Sequence, residues 1–228
     1  FYGVDPGCLL VTRGSSEGID LLIRSFCRAG TDEVVINPPT FGMYRVYADV
    51  QGAKVKEIPL LSKQGFALDI DGILSNWSDV SKLAFICSPN NPTGNSASAA
   101  ELETLCKKMQ GKGLVVIDAA YTEFADYDPT ELVSRYDNVV VLRTLSKALG
   151  LAGVRCGAVI ASPEIIGYLQ QILPPYSYPT VSYTHLRAHE TDSYLVCRLL
   201  LEKSPAPGGS RCRHVCAALE CRAGTGRS

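Results

Sequence analysis

Between Leu9 and Pro174, short runs rich in β-branched residues alternate with amphipathic stretches, and this alternation restricts the fold more than any other feature of the chain. Strands that take turns with helices pair in parallel, with the helices packed over the faces of one sheet. The pattern predicts strands at Glu33–Asn37, Lys54–Pro59, Leu83–Cys87, Leu114–Asp118, Val139–Arg143 and Cys156–Ala161. It predicts helices over 16–27, 41–52, 97–111 and 163–173. In the first of these Ile19, Leu22, Ile23 and Phe26 share a face, and Ser15 or Ser16 can cap it. Pro163 opens the last, where its missing N–H costs nothing. The fold expected is a three-layer α/β/α arrangement around a mainly parallel sheet over residues 1–180.

Composition sets the outer limits. A chain of 228 residues with 46% hydrophobic and 20% charged residues can bury the core of one ordinary α/β domain. No apolar run reaches the roughly 20 residues needed to span a bilayer. No leader is recognisable at Phe1-Tyr-Gly-Val-Asp-Pro, which reads as the middle of a domain, so a cytoplasmic location is expected. A net charge of −1 gives no electrostatic ground for nucleic acid or an anionic membrane as partner. Cys8, Cys27, Cys87, Cys106 and Cys156 lie scattered in apolar segments and read as reduced core thiols.

Ligands of open α/β sheets collect beyond the carboxyl ends of the strands, and three conspicuous polar residues sit just there. Asn91 lies in Ser88-Pro-Asn-Asn-Pro-Thr-Gly94, Asp118 ends Val116-Ile-Asp, and Lys147 lies in Leu142-Arg-Thr-Leu-Ser-Lys-Ala-Leu-Gly150. An amine, a buried acid and nearby anion-seeking groups are what pyridoxal 5'-phosphate (PLP) requires: a covalent anchor for its aldehyde, a carboxylate for its ring nitrogen, and donors for its phosphate. Lys147 is the candidate anchor and proton-transferring base, expected to be buried near other cations; alone it would read as a surface lysine. Asp118 would face the ring nitrogen, or else cap the segment that follows. Tyr121 and Asn91 can hydrogen-bond the ring oxygen. Gly14, Ser15 and Ser16 open a helix whose free N–H groups favour an anion, although two serines there are also an ordinary cap. Thr144, Ser146 and Arg155 add two hydroxyls and a fixed charge. Phe41 can stack on the ring or belong to the core.

These motifs resemble those of the fold-type I PLP-dependent aminotransferases of class I and II. Thr12-Arg-Gly-Ser-Ser-Glu-Gly-Ile-Asp-Leu-Leu-Ile-Arg-Ser-Phe26, Pro38-Pro-Thr-Phe-Gly-Met-Tyr44, the Asn-Asn-Pro-Thr-Gly stretch and Leu142–Gly157 are similar to the histidinol-phosphate aminotransferase subgroup. The resemblance implies transfer of an amino group between L-histidinol phosphate and 2-oxoglutarate (glutamate and imidazole-acetol phosphate in reverse), in histidine biosynthesis, by a homodimer. Aromatic aminotransferases and threonine-phosphate decarboxylase share the same cofactor motifs. Ala119 departs from the glutamate common beside the aspartate, and Ser16 from a common acidic residue. The amino-terminal segment and the carboxyl-terminal small domain of the family are not recognisable in the chain, so an inactive fragment is the contrasting expectation.

The resemblance stops near position 180. All three histidines, four of nine cysteines and seven of 22 basic residues follow it. Val181–Thr191 and Leu195–Lys203 resemble a translated sequencing-library adaptor, so residues 181–228 read as a non-native or disordered tail. His185, His189, Cys212, His214, Cys216 and Cys221 match no metal-ligand spacing, and no metal is expected.

Overall fold

The computed structural model describes residues 2–175 and Ser182. The chain divides into two units, Gly7–Tyr178 and a second that joins Phe1–Pro6 to Pro179–Ser228. Apart from Ser182, the tail readings lie outside the described residues, the histidines and late cysteines among them.

The described residues of the first unit carry seven strands and five α-helices in the order β1 (Leu9–Thr12), α1 (Ser15–Phe26), β2 (Glu33–Ile36), α2 (Met43–Gln51), β3 (Lys54–Glu57), α3 (Ile70–Asn76), β4 (Ser81–Cys87), α4 (Ala99–Met109), β5 (Leu114–Asp118), β6 (Val139–Thr144), β7 (Gly157–Ile160) and α5 (Pro163–Ile172). The strands form one sheet in the order β1-β7-β6-β5-β4-β2-β3. Strand β7 runs antiparallel to both β6 and β1, and the remaining pairs are parallel. The sheet is therefore mixed but mainly parallel, as the alternation implies, with six strands pointing one way.

Helices cover both faces. Ile19, Leu22 and Ile23 of α1 are inaccessible and pack with Leu83, Phe85, Val116, Val140, Leu142 and Val159, which alternate along the strands onto that face. Leu102, Leu105 and Met109 of α4 are equally buried. Each such side chain contributes roughly 1.5–3 kcal/mol of burial. Strands β5 and β6 read as continuous apolar runs because both of their faces are covered.

Local signals explain the helix ends. Ser98 and Glu101 close a capping box on α4, Pro163 opens α5, and α2 stops at Gly52 in the left-handed conformation (φ 74°). One expectation is corrected: α1 is capped by Gly14, with no side-chain hydrogen bond, and Ser15 and Ser16 are its first helical residues. Two elements escaped the periodicity. Strand β1 is a four-residue edge, and α3 has only seven residues, with Asp69 accepting from the Gly72 N–H as its cap.

Candidate functional site

Five connections deliver polar groups to a single end of the sheet. Because six strands are parallel, the segments after β1, β2, β4, β5 and β6 all leave there, and the antiparallel β7 begins there. A cleft with about 530 Å³ of empty space, part of it open solvent, lies at that end. Gly14, Ser15 and Ser16 line it from the start of α1, and Phe41 from the segment after β2. Asn91 follows β4, Asp118 and Tyr121 follow β5, Thr144, Ser146 and Lys147 follow β6, and Arg155 precedes β7. All eleven residues singled out in the sequence line this one cleft.

Asp118 is 2% exposed. Its Oδ2 accepts from the Tyr44 hydroxyl at 2.8 Å and its Oδ1 from the Ala120 N–H at 3.2 Å. Burial pushes its carboxyl above the ordinary carboxylate range, while Tyr44, the Ala120 N–H and the charge of Lys147 oppose the rise. No cation bonds to it directly among the described residues. The Ala120 contact is a turn bond two residues on and not a helix cap, since the short helix that follows, Thr122–Phe124, is capped by Tyr121 with no side-chain hydrogen bond.

The anion-seeking groups form a second cluster. Gly14 sits at φ 91°, a conformation few residues besides glycine adopt, and a Cβ on Gly157 would lie 2.6 Å from the Gly14 backbone. Two glycines thus let the start of α1 press against β7. Its first N–H groups meet the cleft without a capping side chain. Arg155, itself left-handed at φ 53°, donates to the Arg13 carbonyl at 2.8 Å, which holds the guanidinium beside Gly14. Thr144 accepts from the Ser146 N–H at 3.2 Å. The Ser146 hydroxyl oxygen is buried with no hydrogen-bond partner among the described residues. A guanidinium, an unpartnered hydroxyl and a run of amide hydrogens therefore gather around one end of a helix.

Lys147 belongs to neither cluster. Its Nζ lies 5.4 Å from the centroid of the Tyr121 ring. The residue, on the loop after β6, is exposed, which corrects the expectation of burial.

A model of the aminotransferase class I and II family matches residues 1–205. The chain belongs to that family. It is 42% identical over 195 residues to the histidinol-phosphate aminotransferase of Francisella philomiragia, covering 85% of this chain and 54% of that protein. To the enzyme of the same name from Buchnera aphidicola it is 48% identical over 177 residues, covering 76% and 48%. The chain spans about half the length of these curated relatives. Among solved structures, the histidinol-phosphate aminotransferase of Sinorhizobium meliloti in complex with pyridoxal-5'-phosphate superposes with a TM-score of 0.69 at 24% identity, over 75% of this chain and 47% of that one. That likeness speaks for the fold.

Within this family frame, the structure adds residues the motifs left out. Tyr44 is fully buried and bonded to Asp118, and Cys87 lines the cleft, its thiol pushed up to about 12 by burial and by the neighbouring Asp118 charge. Tyr44 stands inside the Pro38–Tyr44 string, three residues from Phe41, so a one-face pairing on a helix was the available signal. Asn90, next to Asn91, is 6% exposed and donates to the Pro39 carbonyl at 2.8 Å, tying the loop after β4 to the loop after β2. Arg143, buried on β6, donates to Asp128 at 2.7 Å and Glu123 at 2.9 Å and so anchors the segment that carries Tyr121. No group of three or more His, Cys, Asp or Glu suited to a metal occurs among the described residues. No helix among them is long and apolar enough to cross a membrane.

Proposed function

We propose that this chain supplies the cofactor-binding part of a PLP-dependent transaminase that exchanges the amino group between L-histidinol phosphate and 2-oxoglutarate in histidine biosynthesis. One observation carries the reading: an amine, a buried carboxylate and a donor-rich helix start, from residues as distant as Ser15 and Arg155, line one cleft. The residues present fit PLP. Asp118 is a buried acid whose only direct partners among the described residues are neutral donors. Ser146 keeps a buried hydroxyl without a partner among the described residues, and α1 starts without a capping side chain. A pyridinium N–H answers the first, and a phosphate answers the other two.

PLP, when bound, supplies an electron sink for charge that develops at the substrate's α-carbon. The chain's own groups do the rest. Lys147 Nζ is the amine that would hold the cofactor and would carry the α-proton as the base. Asp118 keeps the ring nitrogen protonated. Tyr121 and Asn91 would hydrogen-bond the ring oxygen, and Phe41 would lie against the ring. Gly14, Ser15, Ser16, Thr144, Ser146 and Arg155 hold the phosphate, fixing the ring against torque as protons move. The substrates are supported by the names of relatives at 42% and 48% identity, and residues 1–180 are the segment proposed to carry this role. The intact protein is proposed to act as a cytoplasmic homodimer.

Borohydride reduction of the 228-residue chain with PLP, followed by peptide mass spectrometry, is expected to place the adduct on Lys147, with none in Lys147→Ala. An adduct elsewhere, or none, sinks the cofactor reading. A coupled assay on the intact protein decides the substrate: turnover of aromatic amino acids but not of histidinol phosphate would reject the histidine-biosynthetic reaction.

A further inference from the structure

We propose that Tyr44 is a positioning residue whose hydroxyl keeps the Asp118 carboxylate ionised and aimed for a pyridinium nitrogen, a role that rests on the cofactor reading above. Tyr44 is wholly inaccessible, so its hydroxyl has no water to turn to. It donates to Asp118 Oδ2 at 2.8 Å, linking α2 to the end of β5 across 74 positions of sequence. The ring is stacked on Phe85 with centroids 4.9 Å apart and planes at 15°, and Phe41 meets it edge-on at 5.6 Å and 84°. Held between two aromatic side chains, the phenol cannot swing away from the carboxylate.

Packing alone does not explain a tyrosine in this slot. Phenylalanine would fill the same volume without carrying a hydroxyl into a dry site, where an unbonded hydroxyl is expensive. The hydroxyl is spent on one oxygen of the cleft's only carboxylate among the described lining residues. The Ala120 N–H takes the other oxygen at 3.2 Å. Two donors thus fix the plane of the carboxyl and leave its remaining lone pairs for the cleft.

The groups facing Asp118 are Tyr44 from α2, Cys87 from the end of β4 and Lys147 from the loop after β6. Burial pushes the Cys87 thiol up to about 12, so it adds no charge near neutral pH. Burial first, then the Asp118 charge, raises the phenol of Tyr44, so it remains a donor. Burial favours the protonated acid at Asp118, and the Tyr44 bond is the foremost force working against it. Removing that donor therefore moves the carboxyl toward its neutral form, which cannot hold a cationic ring nitrogen.

The test is a double-mutant cycle on the whole chain with Tyr44→Phe, Asp118→Asn and both together. PLP affinity is read by absorbance across pH, with borohydride trapping on Lys147 as the control. In the wild-type background Tyr44→Phe is expected to weaken PLP by about tenfold, the scale of one hydrogen bond to a charged group. In the Asp118→Asn background the loss should be under about twofold, because the two residues act as a unit. Infrared titration without cofactor gives a second readout. The carboxyl band that vanishes in Asp118→Asn should titrate at higher pH in Tyr44→Phe, and at lower pH with 3-fluorotyrosine at position 44, a stronger donor of similar shape. Equal losses in both backgrounds, or an unmoved Asp118 titration, overturn the proposal while PLP still traps on wild-type Lys147. Wild-type chain that fails to trap PLP on Lys147 overturns the cofactor reading and this one together.

Discussion

Two aspartates are buried almost equally in the sheet domain, Asp32 at 1% exposure and Asp118 at 2%, yet their surroundings are opposite. Asp32, just before β2, receives the Arg28 backbone N–H at 2.8 Å and the Arg28 guanidinium at 2.9 and 3.1 Å, with Lys82 at 4.0 Å. Those hydrogen bonds hold its carboxyl at about 2. Asp118, at the opposite end of the sheet on β5, with β4 between it and β2, has a phenol and an amide instead, and burial lifts it. The first acid is satisfied by the chain itself and serves the fold. The second lacks a directly bonded cation among the described residues and is the one proposed to serve what enters the cleft. A buried charge left without its counter-charge is a cost to stability that function accounts for.

The largest expected effect separates the two in cofactor binding. Asp118→Asn should weaken PLP by about a hundredfold, the scale of a buried ion pair losing one partner, while Asp32→Asn leaves it within about twofold. Equal losses measured by absorbance titration would erase the contrast. Arginines should divide in the same way. Arg28 is occupied by Asp32, whereas Arg155 is bonded to carbonyls alone among the described residues. Arg155→Ala should therefore cost about tenfold in PLP affinity but nothing with pyridoxal, which lacks the phosphate. A loss shared by both ligands would mean that Arg155 shapes the loop rather than meeting an anion.

A smaller effect concerns stability, with opposite signs. At pH 7 Asp118→Asn should raise the melting temperature of the cofactor-free chain by a few degrees, and Asp32→Asn should lower it. The pH windows follow from the shifts. Asp118 is raised when folded, so its contribution is best below the ordinary 3.8 and is lost as pH rises through its folded value. The gain from Asp118→Asn should open across that window and vanish in acid. Asp32 is lowered, so its contribution is present above 3.8 and is lost as pH falls through about 2. Denaturation midpoints measured from about pH 2 to 8 check both. Parallel curves for the two variants would sink the distinction.

Much of this was legible in one dimension, and the reasons are local. The apolar runs at Leu114–Asp118 and Val139–Thr144 announce strands covered on both faces, because nothing else tolerates so continuous a stretch. Pro163 marks a helix start by its covalent geometry alone. The short elements were not legible. Strand β1 owes its existence to antiparallel pairing with β7, a partner far along the chain in the register Leu10↔Val159 and its neighbours, and four residues carry too little periodicity of their own. The cap on α1 was misread because serine is the better cap in isolation, whereas the chain turns at position 14 with φ 91°, which demands glycine.

By itself, the sequence determined where the candidate residues lie: an asparagine, an aspartate and a lysine each follow a predicted strand, and parallel strands send such residues to one end of a sheet. Only the tertiary structure decided which groups surround them. Tyr44 became a partner of Asp118, and Lys147 came to stand exposed beside Tyr121, through contacts between segments far apart along the chain. Hydrogen bonds and burial of that kind depend on distances in space, and residue order carries those distances only after the chain has packed.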